Sequence, residues 1–222
     1  MKKILLILLL IPFIGFGQVS TFPWIHDFEN AVGLEQDQND DGDWWLMQGP
    51  TSSFNTGPSG DHTTGSGIYY YVESSNPNYP NKIFTSYTPV FDVSATPGKV
   101  LSFWYHMYGD AMGDLEIAVG DYSIPGTGYT VLNTISGNQG DQWFFAYYPI
   151  PPNVVDSFRI IFKATTGTLY TSDICIDDIM VSDPFNVVIG CMDSTATNYD
   201  PNATHTDTSC TYPPCGGFIN SN

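Results

Sequence analysis

Basic residues are the scarcest feature of this chain. Six Lys and Arg stand against 23 Asp and Glu in 222 residues, a formal net charge of −17. Lys2 and Lys3 belong to the N-terminal leader, so the exported chain is more acidic still. Affinity for nucleic acid or for an anionic bilayer comes from Lys and Arg against phosphate, and both classes of partner are excluded. Helix is also missing from the pattern after the leader, because Gly, Pro, Thr, Ser and Asn interrupt every amphipathic candidate. The four histidines, His26, His62, His106 and His205, form no His-Glu-x-x-His, and no Gly-x-Ser-x-Gly occurs. Zinc needs convergent Cys or His ligands at short spacing, and no such pattern is found. Acids are numerous enough to supply the opposed carboxylates of a glycosidase, yet no pattern marks such a pair. The expectation is a protein that is not an enzyme.

Long hydrophobic runs are limited to one. Residues 4–14, broken by Pro12, follow Met1-Lys2-Lys3 and precede Gly15-Phe16-Gly17. That is the layout of a signal peptide over 1–17, cleaved before Gln18. The run is too short to span ~30 Å of hydrocarbon, and no cysteine follows it to carry a lipid. The chain is expected to be secreted or cell-surface, exported through this leader, with no membrane insertion after cleavage.

What is present is alternation with a period of two, the signature of half-buried strands. Leu115, Ile117 and Val119 share one face, and so do Phe158, Ile160 and Phe162, with Arg159 and Lys163 looking out. From Leu101 to Tyr108, Leu101, Phe103, Tyr105 and Met107 point one way and Ser102, Trp104, His106 and Tyr108 the other. Further strands are expected near 43–48, 68–73, 83–91, 128–135, 143–149 and 172–181, separated by Gly, Pro and Asn turn signals. Many short antiparallel strands with one apolar face make a β-sandwich. The polar, Gly-rich stretch from 28 to 67 reads as ordered loops pinned to it.

Several blocks recur in a telling order. They are Phe28-Glu29, Asp41-Gly42-Asp43-Trp44, Asp61 to Tyr70, Val72-Glu73-Ser74-Ser75, Leu101 to Gly109, Gly137 to Trp143 and Asp177-Asp178-Ile179. From about Trp24 to Ser182 the chain resembles the MAM domain, an extracellular module of adhesion and recognition proteins. The resemblance implies an all-β jelly-roll sandwich of two antiparallel sheets over 18–183. It also implies protein partners and cell adhesion, with self-association possible. A carbohydrate-binding jelly roll is the alternative, its glycan stacking on exposed aromatics among Tyr69, Tyr70, Tyr71, Tyr79, Tyr87 and Tyr108. Animal members carry a cysteine beside the Phe-Trp-Tyr strand, where Val100 stands here, so their disulfide pattern does not transfer.

After a linker at 184–189, residues 190–212 form a polar unit bounded by Cys191 and Cys210, similar to short repeats of secreted bacterial proteins. The unit has almost no apolar core, so a staple is required, and a Cys191–Cys210 disulfide is expected. Asp193, Asn198, Asp200, Asn202 and Asp207 either wrap a cation or make Asx turns. Cys175, between Ile174 and Ile176, is expected as a buried free thiol. Cys215 lies in a tail, 213–222, too polar for a core.

The candidate site is a structural calcium. Related sandwiches seat one where the first and last strands meet, and the matching positions are Glu29, Asp61 and Asp177, with Asp27 offering its carbonyl and Asp178 in reserve. Glu29 and Asp177 sit in otherwise apolar segments, where a carboxylate needs a counter-charge, and calcium takes six to eight oxygens. The other reading has these acids facing solvent or accepting from backbone amides. The run Asp37 to Asp43 imitates an EF-hand start, but Gln48 stands where the bidentate Glu is needed; it reads as structural.

Overall fold

The computed structural model describes residues 18–121, 128–184, 187–206 and 210–212. The leader, Asp207, Cys215 and the 213–222 tail therefore lie outside the described residues. The strands, in chain order, are β1 (Trp24–His26), β2 (Glu35–Gln36), β3 (Trp45–Gln48), β4 (Ile68–Val72), β5 (Ile83–Tyr87), β6 (Phe91–Asp92) and β7 (Val100–Met107). They continue with β8 (Asp114–Asp121), β9 (Tyr129–Ser136), β10 (Phe144–Pro149), β11 (Ser157–Thr165), β12 (Ile174–Ser182), β13 (Ile189–Gly190) and β14 (His205–Thr206). No α-helix occurs among the described residues.

Two six-stranded antiparallel sheets make the sandwich. The front sheet runs β10-β7-β12-β4-β3 with β1 on β12, and the back sheet runs β2-β5-β11-β8-β9 with β6 on β11. Alternation decides which side chains meet between them. Leu101, Phe103 and Met107 of the front sheet and Leu115, Ile117, Phe158, Ile160 and Phe162 of the back sheet are all fully buried. Aromatic rings supply the contacts: Phe103 meets Phe162 edge-on at 5.1 Å, and Tyr70 is stacked between Phe28 and Trp44. Such pairs add about 1 kcal/mol each beyond their buried area.

Two expectations need correction. Phe28-Glu29 is not in a strand; β1 ends at His26, and Phe28 takes a left-handed φ of 58° that turns the chain and leaves Glu29 exposed. Arg159 leaves the core face but is not in solvent. It is buried against the Tyr87 ring, donates to the Thr88 carbonyl and pairs with Glu35.

The acidic run 37–43 is structural, as its spacing implies. Asp40 and Asp41 accept from the backbone N–H groups of Thr85 and Ile83, and Asp37 accepts from the Tyr87 hydroxyl. This fastens the loop to β5 and lets Trp44 enter the core, its Nε1–H on the Phe84 carbonyl at 3.0 Å.

The cysteines behave as expected. Cys191 and Cys210 are joined, and Cys175 is a buried free thiol whose pKa burial pushes well up. In the stapled unit Asp193 and Asp200 accept from the N–H groups of Thr195 and Asn202, which are Asx turns. The unit folds back on the front sheet, with His205 stacked on Phe145 at 4.1 Å.

Candidate functional site

The front sheet has a second buried layer on its outer face. Tyr69, Tyr71 and Cys175 form a small core there, with Met47 and Trp143 packed against it. Three of the tyrosines offered for glycan stacking, Tyr69, Tyr70 and Tyr71, are thus buried and present no ring to a sugar. What covers this face is the chain from Gly49 to Gly67. The Tyr69 hydroxyl donates to the Gly49 carbonyl, and the Trp143 indole donates to the Gly60 carbonyl.

Acidic side chains hold that loop down from three places. Asp61 is buried at the turn and accepts from the N–H groups of Thr64 and Gly67 and from the Thr64 hydroxyl. Burial works to raise its pKa, but these donors outweigh it and hold the carboxyl below its ordinary value. Glu29 reaches across from the segment after β1 to accept from the Ile68 N–H at 2.8 Å. Gly67 lies between these two acids. A Cβ built there would sit 2.1 Å from Oε1 of Glu29 and 3.0 Å from Cγ of Asp61, so any side chain at this position must displace the Glu29 carboxylate.

The third anchor is on the last long strand. The register of β12 against β7 shifts between Asp177 and Met180, and Asp178 takes a left-handed φ of 48°. That extra residue keeps both Asp177 and Asp178 on the outer side while Ile179 returns to the core. Asp177 accepts from the His62 N–H at 2.9 Å and from the Asp178 N–H at 2.8 Å. Asp178 accepts at 2.7 Å from Nδ1 of His62 and also from the Thr63 hydroxyl. The His62 ring lies flat on Trp104, 3.7 Å between centroids. Burial, with the charges of Asp178 and Asp61 adding to it, pushes the Asp177 carboxyl up to about 7.

Four of the five expected ligands, Glu29, Asp61, Asp177 and Asp178, converge on one loop, 61–68, where they accept hydrogen bonds; Asp27 does not reach it. Asp27 spends its carboxylate on the Glu29 N–H. Glu29, Asp61 and Asp177 each face backbone N–H donors, whose positive ends oppose a cation. Among the described residues no three His, Cys, Asp or Glu side chains stand together as a metal cage. The residues fit an amide-satisfied bracket better than a preformed calcium site. Residue identity alone does not distinguish a metal partner from an amide partner.

At the far end of the same loop, the turn 50–59 carries Phe54, which is 86% exposed. The turn is fastened from beneath. Thr51 donates to the Thr56 carbonyl, the Asp173 N–H donates to the Thr56 hydroxyl, and Ser52 donates to Glu73. Gly57, at a φ of 68°, has no room for a Cβ against Thr51. Between this turn, Tyr108 and Asp141 lies an open depression of about 440 Å³. No sequence signal singled out Phe54, because a lone aromatic in a polar loop carries no periodicity.

The chain matches the family described as MAM domain, meprin/A5/mu, over residues 26–184. It is 36% identical over 156 residues to MAM domain-containing glycosylphosphatidylinositol anchor protein 1 of Gallus gallus, covering 68% of this chain and 16% of that protein. It is 30% identical over 167 residues to Neuropilin-1a of Danio rerio, covering 75% of this chain and 17% of that protein. The chain thus spans less than a quarter of the length of these relatives. Among solved structures, the K1 cleaved adhesin domain of Lys-gingipain from Porphyromonas gingivalis W83 superposes with a TM-score of 0.51 at 16% identity, over 73% of this chain and 99% of that one. That likeness concerns the fold.

Proposed function

The chain belongs to the MAM domain family, and from that premise we propose that it is an extracellular, non-catalytic recognition and adhesion module whose partners are proteins. One observation carries the reading: Phe54 stands in solvent on a turn immobilised by buried hydrogen bonds, beside an open depression. A large apolar side chain held still loses little entropy on binding, and such anchors dominate interface energy. Leader, disulfide and family agree on placement outside the cytoplasm. The test is binding of labelled protein to the surface of the producing cells. Phe54→Ala should weaken it by ~10-fold or more, and protease treatment of the cells should abolish it. Binding that survives both would sink the proposal.

A glycan ligand is the second reading, favoured by one feature. An open groove of about 480 Å³ between β9 and β10 is lined by Tyr105, Tyr147, Tyr148, Asn133 and Gln139, all uncharged. Aromatic faces and amides are what neutral sugars need. Retardation in gels containing soluble polysaccharide, lost in Tyr147→Ala, would favour it over a protein partner.

Calcium enters the proposal in a reduced form. An ion would be taken by Glu29 and Asp61, whose side chains both reach Gly67, and would stiffen a bracket that amides already hold. Melting in millimolar calcium against EGTA tests this, and an unchanged melting temperature removes calcium from the account.

A further inference from the structure

The two sheets leave a gap where β1 of the front sheet faces β2 and β5 of the back sheet. A cleft of about 130 Å³ opens there, lined by Trp24 and His26 from one sheet and by Leu34, Glu35, Tyr87 and Pro89 from the other side. Trp24 and His26 are two residues apart on β1, so both rings leave the same face, parallel within 2° at 5.5 Å. Packing fixes them: Phe91 meets Trp24 edge-on at 5.1 Å, and Phe28 meets His26 edge-on at 4.6 Å. The Tyr87 ring is held by Arg159 at 4.8 Å and by its hydroxyl, which donates to Asp37. Walls already immobilised lose little entropy when a ligand enters. An apolar cavity of about 150 Å³ takes up benzene, so this cleft has room for a single ring.

Charge selects among rings. Three carboxylates stand about the cleft: Glu35 in its lining, Asp37 on the Tyr87 hydroxyl, and Asp27, whose charge acts on His26. One cation, Arg159, stands among them and pairs with Glu35. Nε2 of His26 lies 2.9 Å from the Val32 carbonyl, which can only accept, so the ring hydrogen is on Nε2 and Nδ1 keeps a lone pair. Burial holds this imidazole below its ordinary pKa against the pull of Val32 and Asp27, which keeps it mostly neutral at pH 7. An ammonium group gains from the carboxylates, from the lone pair and from the faces of the rings. A carboxylate ligand would meet acid instead, in a chain of formal charge −17.

We propose that the cleft between β1, β2 and β5 is a binding site for a small aromatic primary amine, its ring against Trp24, His26 and Tyr87 and its ammonium group at Glu35. The cleft shares no lining residue with the depression beside Phe54. The inference therefore goes beyond the recognition reading and holds whether or not that turn meets a protein.

Titrating benzylamine, benzyl alcohol and benzoate into the isotope-labelled protein, followed by nuclear magnetic resonance, tests it. Benzylamine should bind with a Kd at or below ~1 mM, at least ~10-fold tighter than the neutral alcohol, with benzoate weaker still. It should shift the Trp24 indole signal and the amide signals of Val32 and Glu35. Glu35→Gln should cut benzylamine affinity by ~10-fold and leave that of benzyl alcohol unchanged, with the near-ultraviolet circular dichroism preserved. Should that variant fail to fold, salt decides on the wild type: raising it from ~10 mM to ~0.1 M should weaken benzylamine and not benzyl alcohol. Equal affinity for amine and alcohol, tighter binding of benzoate, shifts confined to other residues, indifference to Glu35→Gln, benzylamine binding that salt leaves unchanged, or no binding at ~10 mM overturns the proposal. So does release of the labelled protein from its cells by benzylamine, which would make the cleft a seat for a partner protein's side chain.

Discussion

Asp173 offers the sharpest energetic prediction. Its side chain is fully buried beneath the 50–59 turn, and Oδ1 accepts from both the N–H and the hydroxyl of Ser74 at 2.9 Å, whereas Oδ2 has no partner. Burial first, and then the nearby Glu73 charge against the pull of the Ser74 donors, pushes the carboxyl up to about 6 from an ordinary 3.8. A raised folded pKa means that the folded state binds the proton more tightly. The contribution is therefore fully stabilising below about 3.8 and is lost as pH rises through about 6. At ~1.4 kcal/mol per tenfold, holding the charge at pH 8 costs roughly 3 kcal/mol. Asp173→Asn removes that cost, keeps an acceptor for Ser74, and turns an amide toward Thr51 and Glu73. It also weakens two charge-assisted hydrogen bonds, a loss of about 1 kcal/mol. The net expectation at pH 8 is a gain of ~1–2 kcal/mol, or about 2–8 °C in melting temperature for a domain of this size. Near pH 4.5 the wild-type acid is mostly protonated and the gain should vanish. The assay is the difference in melting temperature between variant and wild type across that range, which cancels the other carboxylates. A variant less stable at pH 8, or a difference that does not change with pH, refutes the reasoning.

Two other perturbations follow from the same geometry. Gly67→Ala should destabilise by ~1–3 kcal/mol, because the new methyl displaces Glu29 from the Ile68 N–H; chemical denaturation would show it, and a neutral result would mean that Glu29 carries nothing. Replacing both Cys191 and Cys210 with Ser should remove ~3 kcal/mol from the small unit and expose 188–206 to protease, while the sandwich melts as before; loss of the sandwich transition would show that the docked unit is integral to it.

The strands were legible because period-two alternation is a direct consequence of burying one face. Leu115, Ile117 and Val119, and Phe158, Ile160 and Phe162, lie where the pattern puts them. The pattern missed the covered outer face of the front sheet. Tyr69 and Tyr71 alternate with Tyr70, so an exposed face and a face roofed by a loop look identical along the chain. Arg159 was misread for the same reason, since a cation outside the core can still be buried by Tyr87 and Glu35. At the candidate site, acid positions were visible and their partners were not. Backbone N–H groups leave no trace in residue identity, and the turns that aim them, at Gly67 and at the bulge of Asp178, appear only in three dimensions.

Amide hydrogen exchange at His62, Gly67 and Ile68 in EGTA tests most directly whether carboxylates hold this loop by accepting from the backbone. Strong protection at all three without calcium is the predicted result, with loss at His62 alone in Asp177→Ala and at Gly67 in Asp61→Ala. Exchange at the unprotected rate in EGTA, slowed only when calcium is added, would contradict it and return the site to the ion.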